Sequence, residues 1–148
     1  MDWNRESEMF NQAADYYDQY RSSSSYPREI IDTLIHQTGV IPDDQLLEIG
    51  AGSGKATELL SSRGFQIQCI EPGPDLVKMG QKKFKDYPRI KYHITRFEDY
   101  KIDEKAFDLI FSAQALHWVP QPIGLPVYPP VYLKYSPLSL PLWLKHLQ

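Results

Sequence analysis

The sequence predicts an α/β domain in which a parallel sheet is flanked by helices. Short apolar segments with strand character alternate with segments whose apolar residues recur at helical spacing, as in parallel strands joined by right-handed helical crossovers. The first strand runs directly into a glycine-rich turn, which is typical of sheets that bind nucleotide-like ligands. The length of 148 residues suits a single domain.

Two helices are predicted ahead of the sheet. Residues 6–20 place apolar side chains at helical spacing, and the serines at positions 22–25 predict a flexible joint. Pro27 suits the first turn of the second helix because its missing N–H needs no partner there, and Gly39 is a reasonable stop. The apolar face of this second helix consists of Ile30, Ile31, Leu34 and Ile35.

Four strands with short helices between them follow. One helix is predicted over residues 56–60, after the glycine-rich turn, and another begins near Asp75 with Leu76 and Met79 on its inner face. Cys69 alternates with Ile67 and is predicted to pack in the sheet. The four predicted strands are residues 46–49, 65–70, 90–94 and 107–112.

Composition and charge restrict the partners and the compartment. Sixteen Lys and Arg against nineteen Asp and Glu leave a net charge of −3, without the basic surplus of a general nucleic-acid or anionic-membrane binder. Cys69 has no second cysteine to pair with, which predicts a reducing compartment. The first ten residues do not resemble a signal peptide, and no stretch approaches the ~18 apolar residues of a membrane span. A cytoplasmic location is therefore expected.

The composition changes near Pro120. Residues 119–148 hold seven of the twelve prolines, two lysines and no acidic residue. Prolines at this density are incompatible with a central strand or a long helix. Residues 123–148 are therefore predicted to form an irregular, Pro-rich tail.

The glycine-rich turn, Gly50 to Gly54, is the most informative segment, and three ligands compete for it. An ATP phosphate loop would need a glycine where Ile49 stands and a hydroxyl residue directly after Lys55. A dinucleotide fingerprint would need its third glycine at position 55, so NAD is disfavoured but stays open. S-adenosylmethionine carries no phosphate and needs close backbone approach more than a phosphate cradle.

Glu71 adds weight to an adenosine ligand. It lies at the carboxyl end of the second predicted strand, 21 residues after Gly50. An acid at this position accepts hydrogen bonds from both hydroxyls of an unphosphorylated ribose. The alternative is an exposed carboxylate at a strand end with no ligand.

The sequence resembles the class I S-adenosylmethionine-dependent methyltransferases over residues 8–122. Residues 46–57 are similar to their first motif, residues 69–77 to their second, and residues 96–119 to the adenine-binding loop, fourth strand and following segment. Residues 10–30 are similar to the N-terminal helices of a small-molecule branch of that superfamily. The resemblance implies a Rossmann-like fold, S-adenosyl-L-methionine as cofactor and a small-molecule acceptor.

The family's roles transfer to matching positions. Glu48 would orient the glycine loop, Glu71 would hold the ribose, and Ser112 and Ala113 would border the methionine and the transferred methyl group. Phe97 and Glu98 would read the adenine, because Arg96 stands where many relatives have Asp. The loop residues expected under the methionine part of the cofactor are Gly50, Ala51, Gly52 and Gly54. No metal ligand is implied.

His117 is the candidate catalytic residue. It follows the fourth strand, beside the expected methyl position, and an imidazole there can take the proton of a hydroxyl or acid acceptor near neutral pH. The alternative is that His117 and Trp118 pack the short helix after that strand.

The resemblance implies a domain plan with a missing part. Residues 1–122 would form a partial methyltransferase domain, with helices in residues 1–39 and the cofactor-binding core in residues 45–118. Only the first four of the family's seven strands are found, so the fourth strand would have an exposed edge through which copies could associate. Three explanations stay open: truncation of a longer enzyme, an inactive isoform that acts as an interaction partner, and a tail that wraps the edge.

Overall fold

The computed structural model describes residues 28–101, 103, 106–112, 131–132 and 141–144. The predicted helix at residues 6–20, the serine joint, Ala113, His117 and Trp118 lie outside these residues.

Helices and strands alternate along the described chain as predicted. A helix is followed by the first strand, after which each of the next two strands is preceded by a short helix. A 3₁₀ turn, Ser61–Arg63, precedes the second strand. The helices are α1 (Arg28–Thr38), α2 (Lys55–Leu60) and α3 (Pro74–Lys83). The strands are β1 (Gln45–Ile49), β2 (Gln66–Glu71), β3 (Ile90–Ile94), β4 (Leu109–Phe111), β5 (Val131–Tyr132) and β6 (Pro141–Leu144).

The first four strands form a parallel sheet in the order β3-β2-β1-β4. This arrangement confirms the predicted α/β, Rossmann-like class. The chain order reverses between β1 and β4, because β2 and β3 extend the sheet on one side of β1 and β4 lies on the other. Ligands of open α/β sheets bind at such a reversal, beyond the carboxyl ends of the strands.

The sheet separates two apolar cores because successive strand residues point to opposite faces. Leu46, Ile67 and Leu109 face α1 and α2 and are completely buried. Leu47, Ile70 and Ile110 face the other side, where Phe97 and Phe107 cover them. Cys69 is fully buried on the first face, as its alternation with Ile67 predicted. Both faces of β1 are therefore buried.

The prediction of an irregular tail over residues 123–148 is wrong for two segments, which form strands. Strand β6 pairs antiparallel with β4, and β5 pairs antiparallel with β6. Pro141 is tolerated because it occupies the first position of its strand, where a missing N–H interrupts the ladder least. Without β6, the backbone N–H and C=O groups along this edge of β4 would be unpaired, which favours the addition of a strand. The edge of β4 that was expected to be open to a second copy is thus occupied by β6.

Among the described residues, no helix is both long enough and apolar enough to cross a membrane.

Candidate functional site

The glycine loop crosses from the end of β1 toward the end of β2. The backbone N–H groups of Gly50 and Ala51 both donate to the carbonyl oxygen of Ile70, at 2.9 and 3.2 Å. Gly50, Gly52 and Gly54 have φ values of 68°, 57° and 93°, a left-handed conformation that side chains disfavour. Gly54 then caps α2, whose Glu58 N–H donates to the Gly54 carbonyl.

Gly52 and Gly54 have different surroundings. A Cβ built on Gly52 would meet no heavy atom of the described residues within 4 Å. A Cβ on Gly54 would lie 2.7 Å from the hydroxyl oxygen of Tyr92 and closer still to the ring of Phe84. Gly52 therefore leaves room for a ligand beside the backbone. The space beside Gly54 is instead filled by the side chains of Phe84 and Tyr92.

Glu71 holds the loop after β1 and the loop after β2 together. One carboxyl oxygen accepts the N–H of Gly52 at 3.0 Å, and the other accepts the N–H of Gly73 at 2.9 Å. The side chain is largely buried, and this desolvation raises its pKa, against the lowering effect of the Gly73 and Gly52 hydrogen bonds. Glu71 is therefore not a freely exposed strand-end acid, because its carboxyl group joins Gly52 to Gly73.

Glu48 lies beneath the loop, in the interior. It is only 1% exposed, and the hydroxyl of Thr57 in α2 donates to its Oε2. Burial raises the pKa of Glu48 to about 8, partly offset by the Thr57 hydrogen bond and reinforced by the charge of Glu71. Glu48 therefore joins β1 to α2, the helix that follows the loop, and its orienting role stays a prediction.

Ser112 ties the end of β4 to the end of β1. Its hydroxyl is fully buried and donates to the carbonyl oxygen of Ile49 at 2.9 Å. Ser112 therefore braces the strand from which the glycine loop departs. Ala113, its predicted companion, lies outside the described residues.

The segment after β3 contains Phe97 and Glu98, the residues that are predicted to read the adenine. The N–H of Thr95 donates to the carbonyl oxygen of Glu71 at 3.2 Å, which places this segment beside the end of β2. Phe97 is buried in the second core. Oε2 of Glu98 is buried and has no hydrogen-bond partner among the described residues. A buried carboxyl oxygen without a donor is costly, so this atom is suited to accept a hydrogen bond from a ligand.

Two contributors were not assigned a role by sequence reasoning. Gly73 supplies an N–H to Glu71, and it stands in the sequence Pro72-Gly73-Pro74, which signals a turn. Thr57 stands one position too late for the hydroxyl of a phosphate loop, and it contacts Glu48. His117, the predicted general base, lies outside the described residues. In the described part of the chain, no group of three or more His, Cys, Asp or Glu could hold a metal ion.

These observations fit an adenosyl ligand. Gly52 provides open space next to backbone, Glu71 provides two carboxyl oxygens at the adjacent strand end, and Glu98 provides an unused acceptor. Each carboxyl oxygen of Glu71 keeps a second lone pair for a ribose hydroxyl.

Comparisons with known sequences agree with this geometry. A family described as methyltransferase domain matches residues 47–125. An uncharacterized methyltransferase of Mycobacterium tuberculosis is 29% identical over 106 residues, which are 72% of this chain and 41% of that protein. Malonyl-[acyl-carrier protein] O-methyltransferase 1 of Ilyobacter polytropus is 26% identical over 121 residues, 80% of this chain and 44% of the enzyme. The chain thus spans less than half the length of these relatives.

Solved structures share the fold at low identity. An S-adenosyl-L-methionine-dependent methyltransferase structure from Methanococcus maripaludis superposes with a TM-score of 0.66 at 18% identity, covering 75% of this chain and 53% of that one. Phosphoethanolamine N-methyltransferase 1 of Haemonchus contortus, solved with phosphoethanolamine and S-adenosylhomocysteine, has a TM-score of 0.56 at 19% identity. The match covers 81% of this chain and 28% of the Haemonchus contortus enzyme.

Proposed function

Because the chain belongs to the methyltransferase domain family, we propose that it binds S-adenosylmethionine and transfers the methyl group to a small-molecule acceptor. The observation that carries the proposal is the hydrogen bond from Gly52 to Glu71, beside open space at Gly52. It brings an acceptor for ribose hydroxyls and an approachable backbone to one point.

The binding roles follow from the groups at that point. Glu71 accepts the ribose hydroxyls on its remaining lone pairs while it keeps the glycine loop in place. Phe97 and Glu98 take the adenine side, where the unpartnered Oε2 of Glu98 accepts a hydrogen bond from the base. Gly50, Ala51, Gly52 and Gly54 form the floor under the methionine part. The cofactor, when bound, supplies an electrophilic methyl group on a sulfonium centre.

The transfer step depends on alignment and proton removal. Most acceleration in an in-line displacement comes from holding the nucleophile and the methyl carbon in line. Ser112 and Ala113 border the proposed methyl position, and His117 takes the acceptor's proton. A general base of this kind contributes about 10²- to 10⁴-fold. His117→Gln is therefore expected to reduce turnover by that factor and to leave cofactor affinity within twofold.

The net charge of the chain agrees better with a small-molecule acceptor than with a nucleic acid. Two of the relatives above act, by their names, on malonyl-acyl carrier protein and on phosphoethanolamine. A ribosomal RNA small subunit methyltransferase of Thermotoga petrophila is also similar, at 30% identity over 98 residues. The net charge of −3 disfavours an RNA acceptor, because binding phosphates requires clustered cations. The buried free thiol of Cys69 supports a reducing, cytoplasmic location.

Calorimetric titration with S-adenosylhomocysteine tests cofactor binding. A folded sample is expected to bind it and to ignore NADH. Absence of heat from a sample shown to be folded would refute the proposal, and binding of NADH alone would favour an oxidoreductase. Transfer is assayed separately, as formation of S-adenosylhomocysteine from S-adenosylmethionine with malonyl-acyl carrier protein, phosphoethanolamine or ribosomal RNA present. Binding without turnover on any acceptor would leave a cofactor-binding interaction partner as the function.

A further inference from the structure

The side chain of Tyr92 lies between the glycine loop and α3. A Cβ built on Gly54 of the loop would lie 2.7 Å from the Tyr92 hydroxyl oxygen, and a Cβ built on Gly80 of α3 would lie 2.7 Å from the same atom. The Gly80 Cβ would be closer still to ring carbon Cζ of Tyr92. Real Cβ atoms do not approach other heavy atoms this closely. The two glycines therefore leave the space that this phenol occupies.

This arrangement carries two costs in stability. Gly80 lies in the interior of α3, where glycine is less favourable than alanine because more backbone freedom is lost on folding. The Tyr92 hydroxyl oxygen is buried without a hydrogen-bond partner among the described residues, and phenylalanine would avoid this cost. Packing alone therefore does not explain this glycine and this hydroxyl. Local rules that are broken in this way are expected at functional sites.

The Tyr92 ring is held by the sheet and by α3. Tyr92 of β3 is paired in register with Cys69 of β2, on the face of the sheet that the helices cover. Phe84 follows Gly80 by four residues, on the same face of the helix. Its ring is nearly parallel to that of Tyr92, with an interplanar angle of 15° and centroids 6.4 Å apart. The hydroxyl oxygen is the atom of this held ring that comes closest to Gly54.

Gly54 is coupled through the backbone to the part of the loop beside Glu71. The N–H of Gly54 donates to the carbonyl oxygen of Ala51 at 3.0 Å, which closes a turn that contains Gly52. The N–H of Gly52 donates to the Glu71 carboxyl group, also at 3.0 Å. A shift of Gly54 is therefore expected to move the turn and to change the position of Gly52 relative to the proposed ribose acceptor.

We propose that Tyr92 is a positioning residue of the ligand site, whose phenol fills the space between Gly80 and Gly54 and supports the glycine loop in the conformation that binds the adenosyl ligand. Site residues keep their binding geometry when packed neighbours of this kind hold them. The identity of the ligand rests on the proposed function, whereas the support of the loop does not. Tyr92 acts through Gly54 rather than on a reacting atom.

Tyr92→Phe separates positioning from packing, because it removes the atom nearest Gly54 and keeps the ring carbons beside Gly80 and Phe84. An unpaired buried hydroxyl is lost, so the midpoint of urea unfolding is expected to stay unchanged or to rise. The affinity for S-adenosylhomocysteine, measured by calorimetry, is expected to fall about three- to tenfold because the loop loses its support. Affinity within about twofold of wild type, or a fall matched by a lower unfolding midpoint, would overturn the proposal.

Gly80→Ala displaces the same ring from α3. The new methyl group overlaps Cζ of Tyr92, so the ring is expected to move against the loop and the affinity to fall about tenfold. Tyr92→Leu removes the ring, and adding Gly80→Ala to Tyr92→Leu is expected to change the affinity by less than about twofold. Gln81→Ala, at the adjacent exposed position, is the matched control and is expected to leave the affinity unchanged. Equal effects of Gly80→Ala with and without the ring would refute the role of Tyr92.

NMR without ligand keeps the support of the loop distinguishable from the proposed function. In the wild-type chain, nuclear Overhauser effects are expected from the Tyr92 ring protons to the α-protons of both Gly54 and Gly80. The amide signals of Gly52 and Gly54 are expected to shift in Tyr92→Phe and to stay in place in Gln81→Ala. If they do and S-adenosylhomocysteine never binds the wild type, the support of the loop is retained and the proposed function fails. Missing Overhauser effects, or loop signals unchanged in Tyr92→Phe, overturn the proposal whether or not the ligand binds.

Discussion

Replacing Glu71 by alanine is the most informative single perturbation of the site. In the folded chain its carboxyl group accepts two backbone N–H groups, from Gly52 on one loop and Gly73 on the next, at 3.0 and 2.9 Å. Glu71→Ala therefore removes the proposed ribose acceptor and a structural connection in one step.

The size of the effect can be worked from the surroundings. A hydrogen bond to a charged group contributes about 1.5–3 kcal/mol, and a buried donor left unsatisfied costs about 1–3 kcal/mol. Gly73 is buried, so its N–H remains unsatisfied, whereas Gly52 is half-buried beside open space and water can replace the carboxylate. The buried carboxyl group also returns part of its desolvation cost on removal. We expect a net loss of about 2–3 kcal/mol in the free energy of unfolding.

Urea unfolding followed by fluorescence measures the stability, and calorimetry with S-adenosylhomocysteine measures the affinity. Glu71→Gln is the matched control, because its carbonyl oxygen accepts one N–H while its NH₂ group opposes the other, so about half the loss is expected. Affinity is expected to fall at least tenfold in Glu71→Ala, which corresponds to about 1.4 kcal/mol. A Glu71→Ala protein whose free energy of unfolding differs from wild type by less than about 0.5 kcal/mol would refute the bridging role.

Three further predictions use other contacts of the site. Gly54→Ala is expected to destabilise the fold by about 2–4 kcal/mol, because the new Cβ collides with the Phe84 ring and the residue has a positive φ. Gly52→Ala is expected to cost only about 1–2 kcal/mol in backbone strain and mainly to lower ligand affinity. Equal losses of stability for the two variants in urea unfolding would contradict this prediction. Ser112→Ala is expected to cost about 1 kcal/mol through the lost bond to the Ile49 carbonyl, and no change in the unfolding midpoint would argue against it. Burial raises the pKa of the Cys69 thiol, so alkylation by iodoacetamide at pH 8 is expected only on unfolding, and rapid labelling of the native chain would show that the thiol is accessible.

The sheet could be predicted because its signals are local. Apolar runs and alternation mark each of the four parallel strands, and β3 occupies the predicted residues 90–94. Strand β4 is shorter than predicted, since only Leu109–Phe111 pairs with β1 although residues 107–112 are apolar apart from Asp108 and Ser112. Phe107 is buried in the second core outside the ladder. An apolar run thus marks what is buried rather than what is paired.

The two strands of the tail could not be predicted because the signals for them are not local. Residues 131–132 and 141–144 carry prolines nearby and no periodicity, yet both segments form strands. Their pairing depends on the open edge of β4, a non-local feature that no window of the tail's own sequence contains. The prolines exclude an interior ladder position but permit the first residue of a strand, where Pro141 stands.

The contacts between the candidate site residues come from parallel register, which no single motif of the sequence contains. Ile49 is paired with Ile70, and Glu48 with both Cys69 and Phe111. This register brings Glu71, one residue beyond Ile70, to the loop that leaves Ile49, and it brings Ser112, one residue beyond Phe111, to the Ile49 carbonyl. The resulting hydrogen bonds join residues 19 and 63 positions apart. A one-residue slip of either neighbouring strand would reverse the facing of its side chains, turning Glu71 or Ser112 away from β1. The apolar alternation that buries both faces of the sheet therefore also selects the geometry of the crevice.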